Sequence, residues 1–196
     1  MTVLLVSFTL LCGCTSQEVA PSSTPVVSTP QRGAPVDFDV QFKWDKKSGE
    51  PDVLTAYVTT NIPDGAKLYA SAWEGRYPDE LDSKFTMTSD PSTIKDGKIT
   101  FTLDLYDTDL GQEFTDNTIL FSTGFAPWGP DHPQSVNEYY DGGALLKVKS
   151  GSPGYIIPGG KLYPDEKWFA YDAFVTYDGD SSPTVKEVED YFGYID

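Results

Sequence analysis

The chain has 196 residues, and 14 Lys and Arg against 30 Asp and Glu give a formal net charge of −16 at pH 7. This length permits one domain or at most two small ones, and a hydrophobic fraction of 39% is enough to bury a core. The charge argues against nucleic-acid binding, which requires a Lys/Arg patch to neutralise phosphates, and against charge-driven docking on anionic lipid.

The chain begins with a short apolar segment. Met1–Gly13 contains no charged residue, and Val3–Val6 and Phe8–Leu11 are apolar. The apolar run has about ten residues, whereas a helix that spans a membrane requires about 20. This length is typical of the apolar region of a secretory signal, so we predict that residues 1–13 are a signal peptide.

The end of this segment carries a specific motif. Leu11-Cys12-Gly13-Cys14 resembles the lipobox of prokaryotic lipoproteins, which is an aliphatic residue, a small residue, Gly or Ala, and then Cys. The resemblance implies that the Cys14 sulfur receives a diacylglycerol, that the peptide is cut just before Cys14, and that the acyl chains anchor the protein on the extracytoplasmic side of the membrane. Met1-Thr2-Val3 lacks the usual Lys or Arg, so either the true start lies upstream or the charge is dispensable here.

The next segment has the composition of a linker. Ser, Thr and Pro make up 11 of the 21 residues of Thr15–Pro35, and the apolar residues show no periodicity. We therefore predict that residues 14–35 are the lipidated Cys and a solvated tether. The alternatives are that Thr15–Pro35 is a proline-rich ligand for a partner, or that Cys12 and Cys14 belong to a buried strand.

From Val36 onward the pattern has a period of two. Apolar residues occupy every second position from Val36 to Trp44, which places them on one face of a strand, and Ile99–Leu105 repeats the pattern. Six further strand candidates are separated by Gly-, Pro- and Asp-rich turn signals. They are Val53–Thr60, Leu68–Trp73, Phe85–Met87, Ile119–Phe125, Leu145–Val148 and Trp168–Tyr177. This pattern predicts an all-β domain over residues 36–196, an antiparallel β-sandwich of about eight strands.

Two segments resemble parts of the immunoglobulin-like modules of secreted bacterial proteins. Thr60–Leu68 is similar to their strand-turn-strand element, and Lys95–Leu105 is similar to the turn and strand that often follow it. The resemblance implies an immunoglobulin-like β-sandwich and no particular activity. The Cys…Trp…Cys pattern of antibody domains is absent from the chain, which excludes membership of that group.

The C-terminal region shows a helical spacing. Thr184–Glu187 has the pattern of a capping box, and Pro183 precedes it. Apolar residues then recur at spacings of three, four and three. They are Val185, Val188, Phe192 and Ile195. The spacing predicts a short C-terminal helix or turn over residues 184–192, packed on the sandwich. Trp128–Tyr163 is rich in Gly and Pro and is predicted to form long loops around one or two strands.

Residue patterns that support catalysis or metal binding are scarce. His132 is the single histidine and no Cys follows Cys14, so a zinc site would need carboxylates together with His132. The chain has no Gly-x-Ser-x-Gly elbow and no Gly-rich phosphate loop. We predict that His132 is a surface-loop residue and that the protein has no catalytic residue, metal or cofactor.

The densest acidic segment is Asp104–Glu113. Its carboxylates are ligands of the kind that Ca²⁺ prefers, but Gly111 stands where an EF-hand needs its third side-chain ligand. A solvated acidic loop is therefore favoured over a generic calcium site.

Three aromatic residues near Gly/Pro-rich loops, Trp73, Tyr77 and Trp128, are candidate ligand-binding residues. Their alternative role is to plug the ends of the sandwich.

We predict a lipid-anchored binding or adhesion-type module without enzymatic activity, whose ligand is a protein or polysaccharide of the cell envelope. The alternatives are a structural accessory subunit of an envelope complex and a small extracellular hydrolase that uses carboxylates. An exposed aromatic patch favours the first, a uniformly polar surface the second, and a carboxylate pair in a cleft the third.

Overall fold

The computed structural model describes residues 32–46, 52–74, 86–88, 90–107, 112–114, 117–159, 161–162 and 165–188. The predicted signal peptide, Cys14, the tether up to residue 31 and Tyr77 lie outside these residues. The lipid anchor and the role of Tyr77 therefore stay predictions.

Twelve strands and one α-helix form from the described residues. The strands are β1 (Phe38–Asp45), β2 (Val53–Thr60), β3 (Lys67–Glu74), β4 (Thr86–Thr88), β5 (Ser92–Thr93), β6 (Lys98–Asp104), β7 (Tyr106–Asp107), β8 (Gln112–Glu113), β9 (Thr118–Phe125), β10 (Tyr155–Ile157), β11 (Trp168–Thr176) and β12 (Thr184–Val188). Helix α1 (Gln134–Tyr140) continues into a 3-10 turn at Asp141–Gly143. Within these ranges, no helix combines the length and apolar character needed to cross a membrane.

Two antiparallel sheets pack against each other. The smaller sheet has the order β1-β2-β6, and the larger follows β10-β11-β9-β3-β4, with β12 also paired to β11 and β5 to β3. The chain fills two strands of the smaller sheet, crosses to β3, returns for β6, and crosses again for β9 and β11. This alternation is the connection pattern of immunoglobulin-like sandwiches. The predicted all-β sandwich is confirmed.

The core between the sheets is rich in aromatic rings. The ring centroids of Phe38 and Phe169 lie 4.8 Å apart, and those of Phe101 and Phe121 lie 6.3 Å apart. Trp44, predicted to face inward, is 1% exposed. Exposed and buried residues alternate strictly along β6. The period of two that predicted the strands therefore also assigns the faces of their side chains.

The two segments that resemble immunoglobulin-like modules meet at one turn. The Asp64 carboxylate accepts hydrogen bonds from the backbone N–H groups of Asp96 (2.9 Å) and Gly97 (3.0 Å). Asp96 and Gly97 have φ values of 52° and 67°, as a two-residue hairpin turn requires. A Cβ at position 97 would lie 2.9 Å from the Thr60 carbonyl oxygen, so only glycine fits. The first segment thus holds the turn that begins the second.

The predicted C-terminal helix is wrong in its described part. Thr184–Val188 forms β12, which pairs antiparallel with β11 from Asp172 to Thr176. The β-branched residues of the segment favour a strand, and this pairing satisfies backbone groups that β11 would otherwise leave open at the sheet edge. Val185, expected on a buried stripe, is 40% exposed. Residues 189–192 lie outside the described residues.

Two further expectations need correction. Leu145–Val148 is not a strand, since only Val148 makes an isolated bridge, with Val36. The region predicted as loops contains β10, as expected, but also helix α1. Val136 and Tyr140 lie four residues apart on one face of α1 and are buried, so packing of this one face stabilises a helix that its short length alone would not.

Candidate ligand-binding cleft

The outer faces of the two sheets differ in polarity. On the smaller sheet the outward positions are mostly charged or hydroxylated and surround Tyr57. They include Asp39, Gln41, Lys43, Thr55, Thr59, Lys98, Thr100, Thr102 and Asp104. On the larger sheet the outward positions are mostly aromatic, aliphatic or small. They include Tyr69, Trp73, Leu120, Gly124, Trp168, Ala170 and Phe174. Leu120 and Ala170 are buried and Tyr69 is exposed, so the larger sheet presents apolar surface to solvent around Tyr69.

A cleft of about 430 Å³ lies on this outer face. Tyr69 is paired with Gly124, and Gly124 with Ala170, so two small residues lie side by side on neighbouring strands and leave a shallow floor. Tyr69, Trp128 and Trp168 line the cleft around this floor. The volume lies in the range of small-ligand sites, which are mostly apolar with a few polar groups.

The aromatic wall of the cleft is solvent-accessible. The rings of Trp128 and Trp168 are neighbours, with centroids 6.1 Å apart and planes at 39°. Trp128 is 36% exposed and Tyr69 is 42% exposed. Only five large hydrophobic side chains are exposed among the described residues, and these two line the same cleft. Their convergence indicates a contact surface, because scattered exposed aromatics need no such explanation.

His132 anchors the loop that carries Trp128. Its Nδ1 accepts a hydrogen bond from the Lys67 backbone N–H at 3.0 Å, and the Ala126 backbone is a further hydrogen-bonding partner of the imidazole. The imidazole also packs against the Phe125 ring, with centroids 5.1 Å apart. Burial lowers the pKa of His132, so the neutral form is favoured. His132 lies in the loop between β9 and α1, where the sequence predicted a surface-loop residue, and it is half-buried there.

Charged groups lie at the mouth of the cleft. The Tyr69 hydroxyl donates a hydrogen bond to Asp131 Oδ2 at 2.8 Å, and this bond raises the pKa of Tyr69. Lys67 also lines the cleft. The lining residues therefore include one carboxylate acceptor, Asp131, and one lysine, Lys67, whose charge contributes to the lowered pKa of His132.

A buried carboxylate lies on the same face of the sheet, two residues beyond Ala170. Asp172 is 1% exposed, accepts a hydrogen bond from the Tyr155 hydroxyl and is also hydrogen-bonded by Ser122, which lines the cleft. Burial raises the pKa of Asp172, and the two hydrogen bonds oppose this effect. Asp172 therefore holds together three strands, β9, β10 and β11.

The structure places the predicted ligand-binding residues differently. Trp128 lines the cleft, whereas Trp73 is half-buried on the outer face of β3 and is not a lining residue. Tyr69 and Trp168 also line the cleft but were not among the predicted residues, which were chosen for their proximity to Gly/Pro-rich loops. Because Leu68 is buried, the period of two along β3 would have placed its neighbour Tyr69 on the outer face of the sheet.

The described residues contain few features that would support a metal site or a carboxylate-based hydrolase. No group of three or more His, Cys, Asp or Glu there is arranged to hold a metal ion. Asp131 is the one carboxylate among the described lining residues of the cleft, whereas a glycosidase needs two. The acidic segment Asp104–Glu113 is described only at its ends, where β7 and β8 pair.

Comparisons with protein-family models, curated proteins and solved structures found no match to this chain.

We expect the fold to lose stability as the pH is lowered below about 6.5, the pKa of a histidine in an unfolded chain, because His132 then becomes protonated more readily in the unfolded state. Its folded pKa is lower, so between the two values the unfolded chain binds the extra proton. The stabilisation is fully present above the unfolded pKa and is lost as pH falls through it towards the folded pKa. Because His132 is the only histidine, NMR titration of one imidazole tests this directly. A His132→Gln variant should lose this part of the pH dependence. A folded pKa at or above the unfolded value would contradict the prediction.

Proposed function

We propose that this protein is a lipid-anchored binding module of the cell surface, without catalytic activity, and that the cleft is its ligand-binding site. The observation that carries the proposal is the convergence of exposed Tyr69 and Trp128 on one cleft with a floor of small residues. Exposed aromatic side chains that meet in a concave site supply most of the contact energy in many recognition surfaces. The polar outer face of the smaller sheet leaves the larger sheet as the side suited to the ligand.

The state of His132 supports binding over catalysis. Its Nδ1, the acceptor nitrogen of the neutral ring, already accepts the Lys67 backbone N–H, so it is not free to act as a general base for Ser122 in the same cleft. Asp131 lacks a second carboxylate among the described lining residues of the cleft. The groups present therefore suit reversible contact with a ligand.

The lipid anchor is supported by the lipobox and by the linker composition that follows it. Near the end of the predicted tether, the Arg32 guanidinium donates hydrogen bonds to the Glu138 carbonyl at 2.7 Å and to the Asp141 carboxylate at 3.0 Å. These contacts fasten the chain to the end of α1. A tether that starts from such a fixed point and ends in two acyl chains would give stable residence on a membrane.

Cys14→Ala is expected to abolish lipidation and signal cleavage. The wild-type protein in the membrane fraction should have the intact mass of a chain that starts at Cys14 and carries acyl groups. The variant should stay uncleaved or leave the membrane fraction, because the acylated sulfur is absent. Cys12→Ala is the matched control, since the lipobox accepts a small residue there, and it should be processed as the wild type is. Normal processing and partitioning of Cys14→Ala would contradict the anchor.

Trp128→Ala is expected to weaken retention of native cell-envelope material about tenfold, as loss of a central aromatic contact does. The measurement uses the full-length protein in detergent, immobilised and exposed to labelled envelope fragments. Tyr57→Ala is the control, because Tyr57 is 48% exposed on the outer face of the opposite sheet. Equal retention by the wild type and Trp128→Ala, with both proteins folded, would show that the cleft is not the binding site.

A further inference from the structure

We infer that the ligand of the cleft is a neutral saccharide, one sugar unit of a glycan. This inference rests on the proposed function and gives its ligand a chemical class. The apolar C–H face of the sugar lies on Trp128, and its hydroxyls reach Asp131 and Lys67 at the mouth.

The cleft and a sugar ring are amphipathic in the same way. The face of an aromatic ring is electrically negative and attracts the weakly positive hydrogens of C–H groups. Gly124 and Ala170 add no bulky side chain to the floor, so a flat ring has room beside Trp128, whose side chain is 36% exposed. The hydroxyl edge of such a ring both donates and accepts hydrogen bonds, and Asp131 and Lys67 together supply both kinds of partner.

The charges of the protein and of its cleft disfavour three other classes of ligand. A net charge of −16 opposes an anionic polymer. A cation would meet the Lys67 ammonium at the mouth, and Trp128 and Trp168 lie side by side at 39° instead of surrounding a common centre. A pure hydrocarbon would desolvate the charges of Asp131 and Lys67 without giving them a partner.

The floor of the cleft also excludes a peptide that binds by strand addition. Such a peptide requires a strand with open backbone groups at a sheet edge. Gly124 belongs to β9, which is paired with β3 on one side and β11 on the other. The floor is therefore the middle of a sheet, and it offers a surface and no open edge.

The test uses delipidated, labelled polymer from the native cell envelope as the probe. Three preparations are compared: untreated, digested with protease, and oxidised with periodate, which cleaves the vicinal diols of sugars. Each is applied to full-length wild-type protein, to Trp128→Ala and to Tyr57→Ala. We expect wild-type protein and Tyr57→Ala to retain the untreated and protease-digested probes equally, and the periodate-treated probe about tenfold less. Trp128→Ala should retain all three at that lower level. Salt of about 1 M should leave wild-type retention unchanged, because a neutral ligand is not screened.

Other results separate the failure of the inference from that of the proposed function. Retention that depends on Trp128 but is abolished by protease and spared by periodate identifies a peptide; it overturns the saccharide and leaves the binding function intact. Retention abolished by salt identifies a charged ligand and overturns the neutral class. Retention that Trp128→Ala leaves unchanged for every probe overturns both the inference and the cleft as binding site.

Discussion

Gly154→Ala is expected to lower the free energy of unfolding by about 3 kcal/mol or more, because it combines backbone strain with a clash in the core. Gly154 precedes β10 and has a φ of 98°. A Cβ there would overlap the Phe169 ring and lie 2.8 Å from the Ala170 carbonyl oxygen. Phe169 is fully buried against Phe38, so its ring has no room to yield.

Gly151→Ala is the matched control for this variant. Gly151 has a similar φ of 81°, but a Cβ at this position would meet nothing within 4 Å. It should therefore lose only about 1 kcal/mol, the cost of a left-handed backbone for alanine. Urea denaturation of both variants measures the difference. Equal losses would show that Phe169 and Ala170 do not confine position 154.

Asp172→Ala is expected to cost about 2 to 4 kcal/mol at neutral pH, and Asp172→Asn much less. Alanine removes the acceptor of the Tyr155 hydroxyl and a hydrogen-bonding partner of Ser122 inside the sheet face. Asparagine keeps an acceptor oxygen and removes the buried charge. Because burial raises the pKa of Asp172, its contribution to stability is greatest at low pH and declines as pH rises from the unfolded value through the folded pKa.

The two Asp172 variants are compared with the wild type by urea denaturation at about pH 4 and about pH 7. The free energy of unfolding of Asp172→Asn should increase relative to that of the wild type as pH rises, because the variant carries no charge to bury. If Asp172→Asn is as unstable as Asp172→Ala at both pH values, the ionised carboxylate is required and the assignment is wrong.

The sandwich was predictable because its signal is local. Ile99–Leu105 alternates apolar and polar residues, and the corresponding strand β6 alternates buried and exposed ones. The prediction for Thr184–Val188 was wrong for the opposite reason, because the secondary structure of this segment depends on a strand that is distant in the sequence. The helical spacing of its apolar residues competes with β-branched chemistry, and the open edge of β11 decides between them. A single segment does not reveal that edge.

The cleft was predictable only in part, through Trp128. Its floor consists of Gly124 and Ala170, residues of the smallest types, which became significant only when the sheet register set them side by side. The anchoring role of His132 depends on the Lys67 backbone, 65 residues away in the chain. Local patterns assign a face to each residue, but they do not show which faces of distant strands meet.

The fastening of the Trp128 loop by His132 bears on how fast and how tightly a ligand would associate. Immobilising one flexible side chain on binding costs about 0.5 to 1.5 kcal/mol. Here the hydrogen bonds that join the imidazole to the Lys67 and Ala126 backbones hold the loop before any ligand arrives. The entropic cost of ordering this loop is therefore largely met during folding. Recognition would then proceed as rigid docking, with free and occupied conformations nearly superimposable.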